Sequence, residues 1–309
     1  MPSTGIVLGA GGIIGPAYHL SVLRALRSTN GRDPGGASLF VGTSGGAIVA
    51  ALLATGQPLD VLAEAFDIDG VGARSVGDPL HDAVQVLLTL PHLGWGEFHV
   101  PPRAPRRRYP DVRQRIAVRS SALFTNGAID LLRYAAPFDD IFGDLWPTSL
   151  RLCAVHCSTG RRRVFGPTDG VRLGLATAAS CAVPGMFRPV EIDGEFYSDG
   201  GFFSPCNADV ALGHRLDRVT IVSPMSSSVR SIPASFEHPL RIGLHAIVAR
   251  EQRQLRRHGI EVTLVEPNFA ARRAIGADYM DLSKAPAVAR AMTLITPPAT
   301  TQPPLGRIA

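Results

Sequence analysis

Short unbroken apolar runs alternate along this chain with longer segments in which apolar residues recur every three or four positions. "GIVLG" (5–9), "SLFVG" (38–42), "LRLCAVHC" (150–157), "DRVTIVSP" (217–224) and "IEVTLVEP" (260–267) are runs of the length expected of strands buried on both faces. Between them the period lengthens. Pro16 suits a first helical turn, Leu20, Leu23 and Leu26 hold one face, and Asn30-Gly31 ends the helix. "GGAIVAALLA" (45–54) predicts a second helix, closed by Gly56 and Pro58. "GLATAASCA" (174–182) predicts a helix of small residues, and "PLRIGLHAIVAREQRQLRRHG" (239–259) a long basic one. "VEIDGEFYS" (190–198) reads as a hairpin, because Asp193-Gly194 suits a two-residue turn. Such alternation implies the α/β class, with a mostly parallel sheet covered by helices on both faces.

Residues 69–145 break the pattern. "PHLGWGEFHVPPRAPRRRYPDVRQR" within them carries most of the prolines and aromatics of that half, so this stretch reads as a cap or lid insertion. No internal repeat is found. The expected organisation is one catalytic domain over residues 1–295, followed by a Pro-rich disordered tail over 296–309.

Composition narrows the picture. With 309 residues, 45% of them hydrophobic and 18% charged, the chain is long enough to bury a full core. A formal charge of +5 would suit an anionic surface, and a phospholipid membrane is the partner expected rather than nucleic acid. The skew also has a plain reading as coding bias, since Lys284 is the single lysine among 31 basic residues. Schiff-base or P-loop chemistry would have to rest on that lysine, and no Gly-rich loop precedes it. Cys153, Cys157, Cys181 and Cys206 show no paired spacing and form no zinc pattern with the histidines, so reduced thiols in a cytoplasmic protein are expected, with no metal. The apolar N-terminus lacks a basic leader and is interrupted by Gly and Pro, and it reads as core strand, loop and helix.

Two glycine-rich turns carry candidate chemistry. "GTSGG" (42–46) fits the G-x-S-x-G elbow, in which Ser44 would stand on a tight strand-to-helix turn with its hydroxyl exposed, flanked by Gly42 and Gly46. Its placement between an apolar strand and a clean helix is the context that motif needs. "GAGGIIG" (9–15) resembles a dinucleotide loop but has Ile14 in the place of the last glycine, and no acidic residue ends "SLFVG" to hold a ribose. Its amides instead suit an oxyanion, because a helix N-terminus carries unpaired donors and positive partial charge. A base could come from Asp199 in "SDGG", whose Gly200 and Gly201 permit a tight turn, or from a triad completed by His214, His238, His245 or His258. None of those histidines lies in a glycine-marked loop.

In this order, "GAGGIIG", "GTSGG" and "SDGG" resemble the oxyanion loop, nucleophile and catalytic aspartate of the patatin-like phospholipases. The similarity continues through "AASCAVPGMFRPVEIDGEFYSDGG" into "LDRVTIVSP", covering about residues 5–223. It implies a three-layer α/β/α sandwich and a lipid acyl hydrolase of the phospholipase A or esterase type. It also implies a Ser44-Asp199 dyad without histidine and needs no cofactor. Gly11 and Gly12 would be the oxyanion donors, with Gly9, Ala10, Gly15, Gly42, Gly46, Gly200 and Gly201 shaping the motifs. The sequence departs from the family pattern at Ile14, where a basic residue is usual.

Two other classes stay open at this stage. A lipid-binding member without turnover draws its only support from Ile14, and a nucleotide-dependent oxidoreductase rests on "GAGGIIG" alone. The cap also has two readings. Leu80, Val84, Leu87 and Leu88 stand at helical spacing, and seven arginines lie between Arg103 and Arg119. This is either a lid that opens on an anionic lipid surface or a packed helix beside a solvated Arg-rich loop.

Overall fold

In a computed structural model, residues 2–71, 78–88, 111–114, 116–117, 127, 129–143, 146–228 and 238–292 are described. The strands are β1 (Thr4–Leu8), β2 (Leu39–Thr43), β3 (Leu150–His156), β4 (Arg162–Phe165), β5 (Val190–Ile192), β6 (Glu195–Asp199), β7 (Arg218–Val222) and β8 (Glu261–Val265). The helices are α1 (Gly15–Asn30), α2 (Gly45–Ala54), α3 (Leu59–Ala65), α4 (Pro79–Leu88), α5 (Leu132–Phe142), α6 (Leu173–Cys181), α7 (His238–Arg257), α8 (Phe269–Ile275) and α9 (Ala285–Met292).

All eight strands form one sheet in the order β5-β6-β3-β2-β1-β7-β8, with β4 added on β3. The pairs β3-β2, β2-β1, β1-β7 and β7-β8 are parallel; β4 and the β5-β6 hairpin run antiparallel. Side chains alternate across a strand, so neighbouring residues serve opposite faces. Ile6, Leu8, Phe40 and Leu152 join a core with α1, α2, α3 and α6, while Val7, Leu39, Val41 and Ile221 join another with Val248 and Leu255 of α7. Helical cover on both sides makes β1 and β2 almost wholly buried, which is why they read as continuous apolar runs.

Local signals end the elements where expected. Gly31 caps α1 at φ 64°, its N–H donating to Arg27 O at 2.8 Å. Asp193 and Gly194 both take positive φ in the β5-β6 turn. Several elements went unread in the sequence, namely α3, β4, α5, α8 and α9.

The register on β3 decides which candidate residues come together. Thr43 pairs with Cys153 and Asp199 pairs with Ala154, so β2 and β6 end at consecutive residues of β3. Two segments 155 positions apart in sequence are thereby brought end to end.

Candidate active site

Ser44 links β2 to α2 with φ 56° and ψ −132°, one of four non-glycine residues at positive φ among those described. Such a conformation costs of order 1–3 kcal/mol and persists only where its surroundings enforce it. Here they do. The Ser44 N–H donates to Ser180 Oγ at 3.1 Å, and its carbonyl accepts from Ala47 N at 2.7 Å and Cys181 Sγ at 3.2 Å. Ser180 Oγ itself donates to Cys153 O at 2.7 Å, so the end of α6 braces the turn against β3. A Cβ on Gly46 would lie 2.2 Å from Leu8 O, and one on Gly42 2.6 Å from Ala47 Cα; both positions must be glycine for α2 to sit this close to the sheet.

Asp199 ends β6. Its N–H donates to Ala182 O at 2.9 Å, its carboxylate accepts from Gly201 N at 2.7 Å, and the Ser44 hydroxyl is near enough to act on the carboxylate's pKa. The side chain is buried, and loss of hydration raises its pKa from 3.8 to about 6, against the opposing pull of those two groups. A Cβ on Gly200 would sit 2.2 Å from Cys153 O, which explains the small residue directly after the carboxylate.

The glycine loop lies against both. Gly12, at φ 61°, turns its carbonyl to within 2.2 Å of where Gly45 would carry a Cβ, and Gly201 abuts Ala10 on the other side. Gly9 N–H donates to Val222 O at 3.0 Å, Ala10 N–H to Pro205 O at 2.7 Å, Ile14 N–H to Tyr279 O at 3.1 Å and Gly15 N–H to Gly12 O at 3.2 Å. The N–H groups of Gly11, Gly12 and Ile13 have no acceptor among the described residues. Ile13 thus joins the two expected donors. Ile14 is fully buried in the core and does not face the loop's open side.

No described histidine completes a triad. His245 Nδ1 bonds Glu266 at 2.8 Å, His258 bonds Gln254 O at 2.9 Å, His214 is half-buried, and nothing is described of the His238 side chain. His19 is the histidine near the site, yet its Nε2 meets the Gly9 carbonyl at 2.8 Å. A carbonyl only accepts, so Nε2 carries the proton; burial lowers the imidazole pKa to about 4 and keeps it neutral.

Asn207 was not singled out by any motif. Fully buried and held at φ 53°, its amide donates to Thr43 Oγ1 at 3.1 Å, Gly200 O at 3.4 Å and Ser204 O at 2.9 Å. It ties the residue before Ser44 to the residue after Asp199. Only its place in "PCNAD", a loop of small and polar residues, hinted at such a role. Among the described residues, no group of three or more His, Cys, Asp or Glu side chains is arranged to hold a metal ion.

A strained serine thus stands beside a buried carboxylate and a run of unpaired amides. The model of the patatin-like phospholipase family matches residues 6–212, and the chain belongs to that family. Membership supports lipid hydrolysis as the activity. Comparison with curated protein sequences gives no match. Similar solved structures include VipD from Legionella pneumophila, with 12% identity, a TM-score of 0.40, and coverage of 95% of this chain and 67% of that one. The type III effector protein ExoU has 16% identity, a TM-score of 0.37 and coverage of 94% and 52%. Human GIVD cytosolic phospholipase A2, in complex with methyl gamma-linolenyl fluorophosphonate, has 13% identity, a TM-score of 0.36 and coverage of 94% and 56%. This chain therefore spans only 52–67% of the length of these structures.

Proposed function

We propose that the protein hydrolyses lipid acyl esters through a Ser44-Asp199 dyad and an acyl-enzyme. The Ser44 Oγ attacks the ester carbonyl carbon as its proton passes to Asp199. The carbonyl oxygen becomes an oxyanion held by the N–H groups of Gly11 and Gly12, with Ile13 a third donor in the same turn. Collapse of this intermediate breaks the ester C–O bond, and the leaving alcohol takes the proton back from Asp199. Water then repeats the sequence on the acyl-enzyme: it loses a proton to Asp199 and attacks the acyl carbon, the Ser44 Oγ–acyl bond breaks as Oγ takes the proton back from Asp199, and the fatty acid leaves. An acceptor other than water would use the same acyl-enzyme.

One observation carries this reading: a strained, backbone-braced serine stands beside a buried carboxylate whose pKa is about 6, and its hydroxyl is one of the groups that acts on that carboxylate. An ordinary carboxylate is a poor base for an alcohol. Raising its pKa narrows the mismatch, and the amide donors supply the larger share, since loss of one such donor costs about 10²- to 10³-fold in rate.

The test is a fluorophosphonate probe together with a panel of acyl esters of increasing chain length, applied to wild type, Ser44→Ala and Asp199→Asn. The wild type should be labelled and turn over esters. Ser44→Ala should lose both, and Asp199→Asn should lose turnover while staying folded. Retained turnover in either purified variant would sink the dyad.

A further inference from the structure

The loop "GAGGIIG" contains four glycines and no charged or hydrogen-bonding side chain, so its shape must be imposed from outside. Two neighbours press on the stretch that bears the unpaired amides. The Pro224 ring lies 3.1–3.2 Å from where Gly11 would carry a Cβ. On the opposite flank, Tyr279 O and Cβ stand 2.6 and 2.8 Å from the equivalent point on Gly12, and that same carbonyl accepts the Ile14 N–H at 3.1 Å. Both neighbours are gripped by one side chain. Arg241, buried in the first turn of α7, donates from Nη1 to Pro224 O at 2.9 Å and places its guanidinium over the Tyr279 ring at 5.4 Å.

We propose that Arg241 is a positioning residue for the glycine loop, clamping Gly11 through Pro224 and Gly12 through Tyr279 so that their amides converge on the carbonyl oxygen of the substrate. Burial of a guanidinium costs several kcal/mol unless its geometry is used, and a planar fork that donates at its edge while stacking on its face suits this position in a way an ammonium does not. The buried cation also adds positive potential beside the loop, in the sense that favours an oxyanion. Arg272 is near enough to feel its charge, and Arg241 and Glu266 both act on the Tyr18 hydroxyl, so the clamp sits in a mixed-charge setting. A small displacement of oxyanion donors is expensive, since about 1 Å of misplacement costs up to 10²-fold.

The catalytic half of this proposal rests on the acyl-hydrolase reading, whereas the clamping half does not, and the experiment separates them. Arg241→Gln and Arg241→Lys are made in the full chain. Amide hydrogen exchange over residues 9–15 is followed beside kcat and KM on p-nitrophenyl butyrate and the affinity for a trifluoromethyl ketone, whose adduct mimics the tetrahedral intermediate. In Arg241→Gln, exchange at Ile14 and Gly15 should rise at least tenfold while β7 and α2 keep their protection. The kcat should fall about tenfold or more with KM within twofold, and ketone affinity should fall in parallel. Arg241→Lys, which keeps charge and one donor, should recover part of each loss and provides the folded comparison if the Gln variant does not fold. Unchanged exchange over 9–15 in a folded variant overturns the clamp, as does a rise spread evenly over the whole sheet. A wild type that neither turns over the ester nor binds the ketone would overturn the dyad reading, and the exchange data would still decide the role of Arg241.

Discussion

In the proposed mechanism two demands conflict at Asp199, because a base must ionise and a buried carboxylate resists ionising. Burial raises its pKa from 3.8 to about 6, with the Ser44 hydroxyl and Gly201 N–H pulling the other way. Below that value the base is protonated, so kcat/KM should fall about tenfold per pH unit on the acid side of about pH 6, which a pH-rate profile would read. The same shift affects stability. A folded-state pKa above the unfolded one means that the folded chain binds this proton more tightly. Its stabilising contribution is present below pH 3.8 and is lost as pH rises through 6, a difference of about 3 kcal/mol. Asp199→Asn, which removes the charge and keeps one acceptor oxygen for the Gly201 N–H, should therefore be more stable than wild type at pH 8, with the gain gone near pH 4. Urea unfolding at the two pH values checks this, and an equal gain at both would refute it. Ser44 and Asp199 were legible because each stands in a glycine-marked motif. Asn207, Ser180 and Arg241 were not, because their partners lie far along the chain and no local spacing announces them.

Among the elements, α2 and the β5-β6 hairpin were read with their bounds nearly intact, since capping glycines and a two-residue turn act through neighbours in sequence. The missed elements share other causes. In α5 the residue Pro137 lies inside the helix, and β4 is a four-residue strand whose two arginines mask it. Of these, Arg162 pairs with Asp209 and Asn207, so its place in a strand depends on partners that only the fold supplies. The packing of α2 on β1 gives a test at this scale. Gly46→Ala drives a Cβ into Leu8 O and should cost about 3 kcal/mol or more, whereas Gly36→Ala, with open space around it, should be near neutral in thermal unfolding. Asn207→Ala removes three donated bonds, two of which tie the Ser44 turn to the Asp199 turn. It should lower stability by about 2–3 kcal/mol and also lower kcat, while Thr43→Ser, which keeps the hydroxyl, should preserve activity.

Across the whole molecule, one sheet separates two cores, and the site lies where strands end between them. Among the described residues, no helix is long and apolar enough to cross a membrane. Residues 69–145, read from the sequence as a cap, are only partly described: Leu80 and Val84 of α4 are buried as the periodicity required, while Arg103 and Arg106 to Arg108 lie outside the described residues. The basic excess sets an expected outcome, namely binding to vesicles of anionic lipid that weakens with salt. Reversing Arg106, Arg107 and Arg108 to Glu should abolish that preference without changing turnover of a short soluble ester. By itself the sequence determined the α/β alternation and the tight turns at Ser44 and Asp199, because backbone propensity, glycine geometry and apolar periodicity act within a few residues. Only the tertiary structure decided that Ser44 and Asp199 meet, that Ile13 joins the unpaired amides, and that Arg241 grips the loop beside them. Those contacts follow from register on β3 and from packing between distant segments, and no local pattern encodes either.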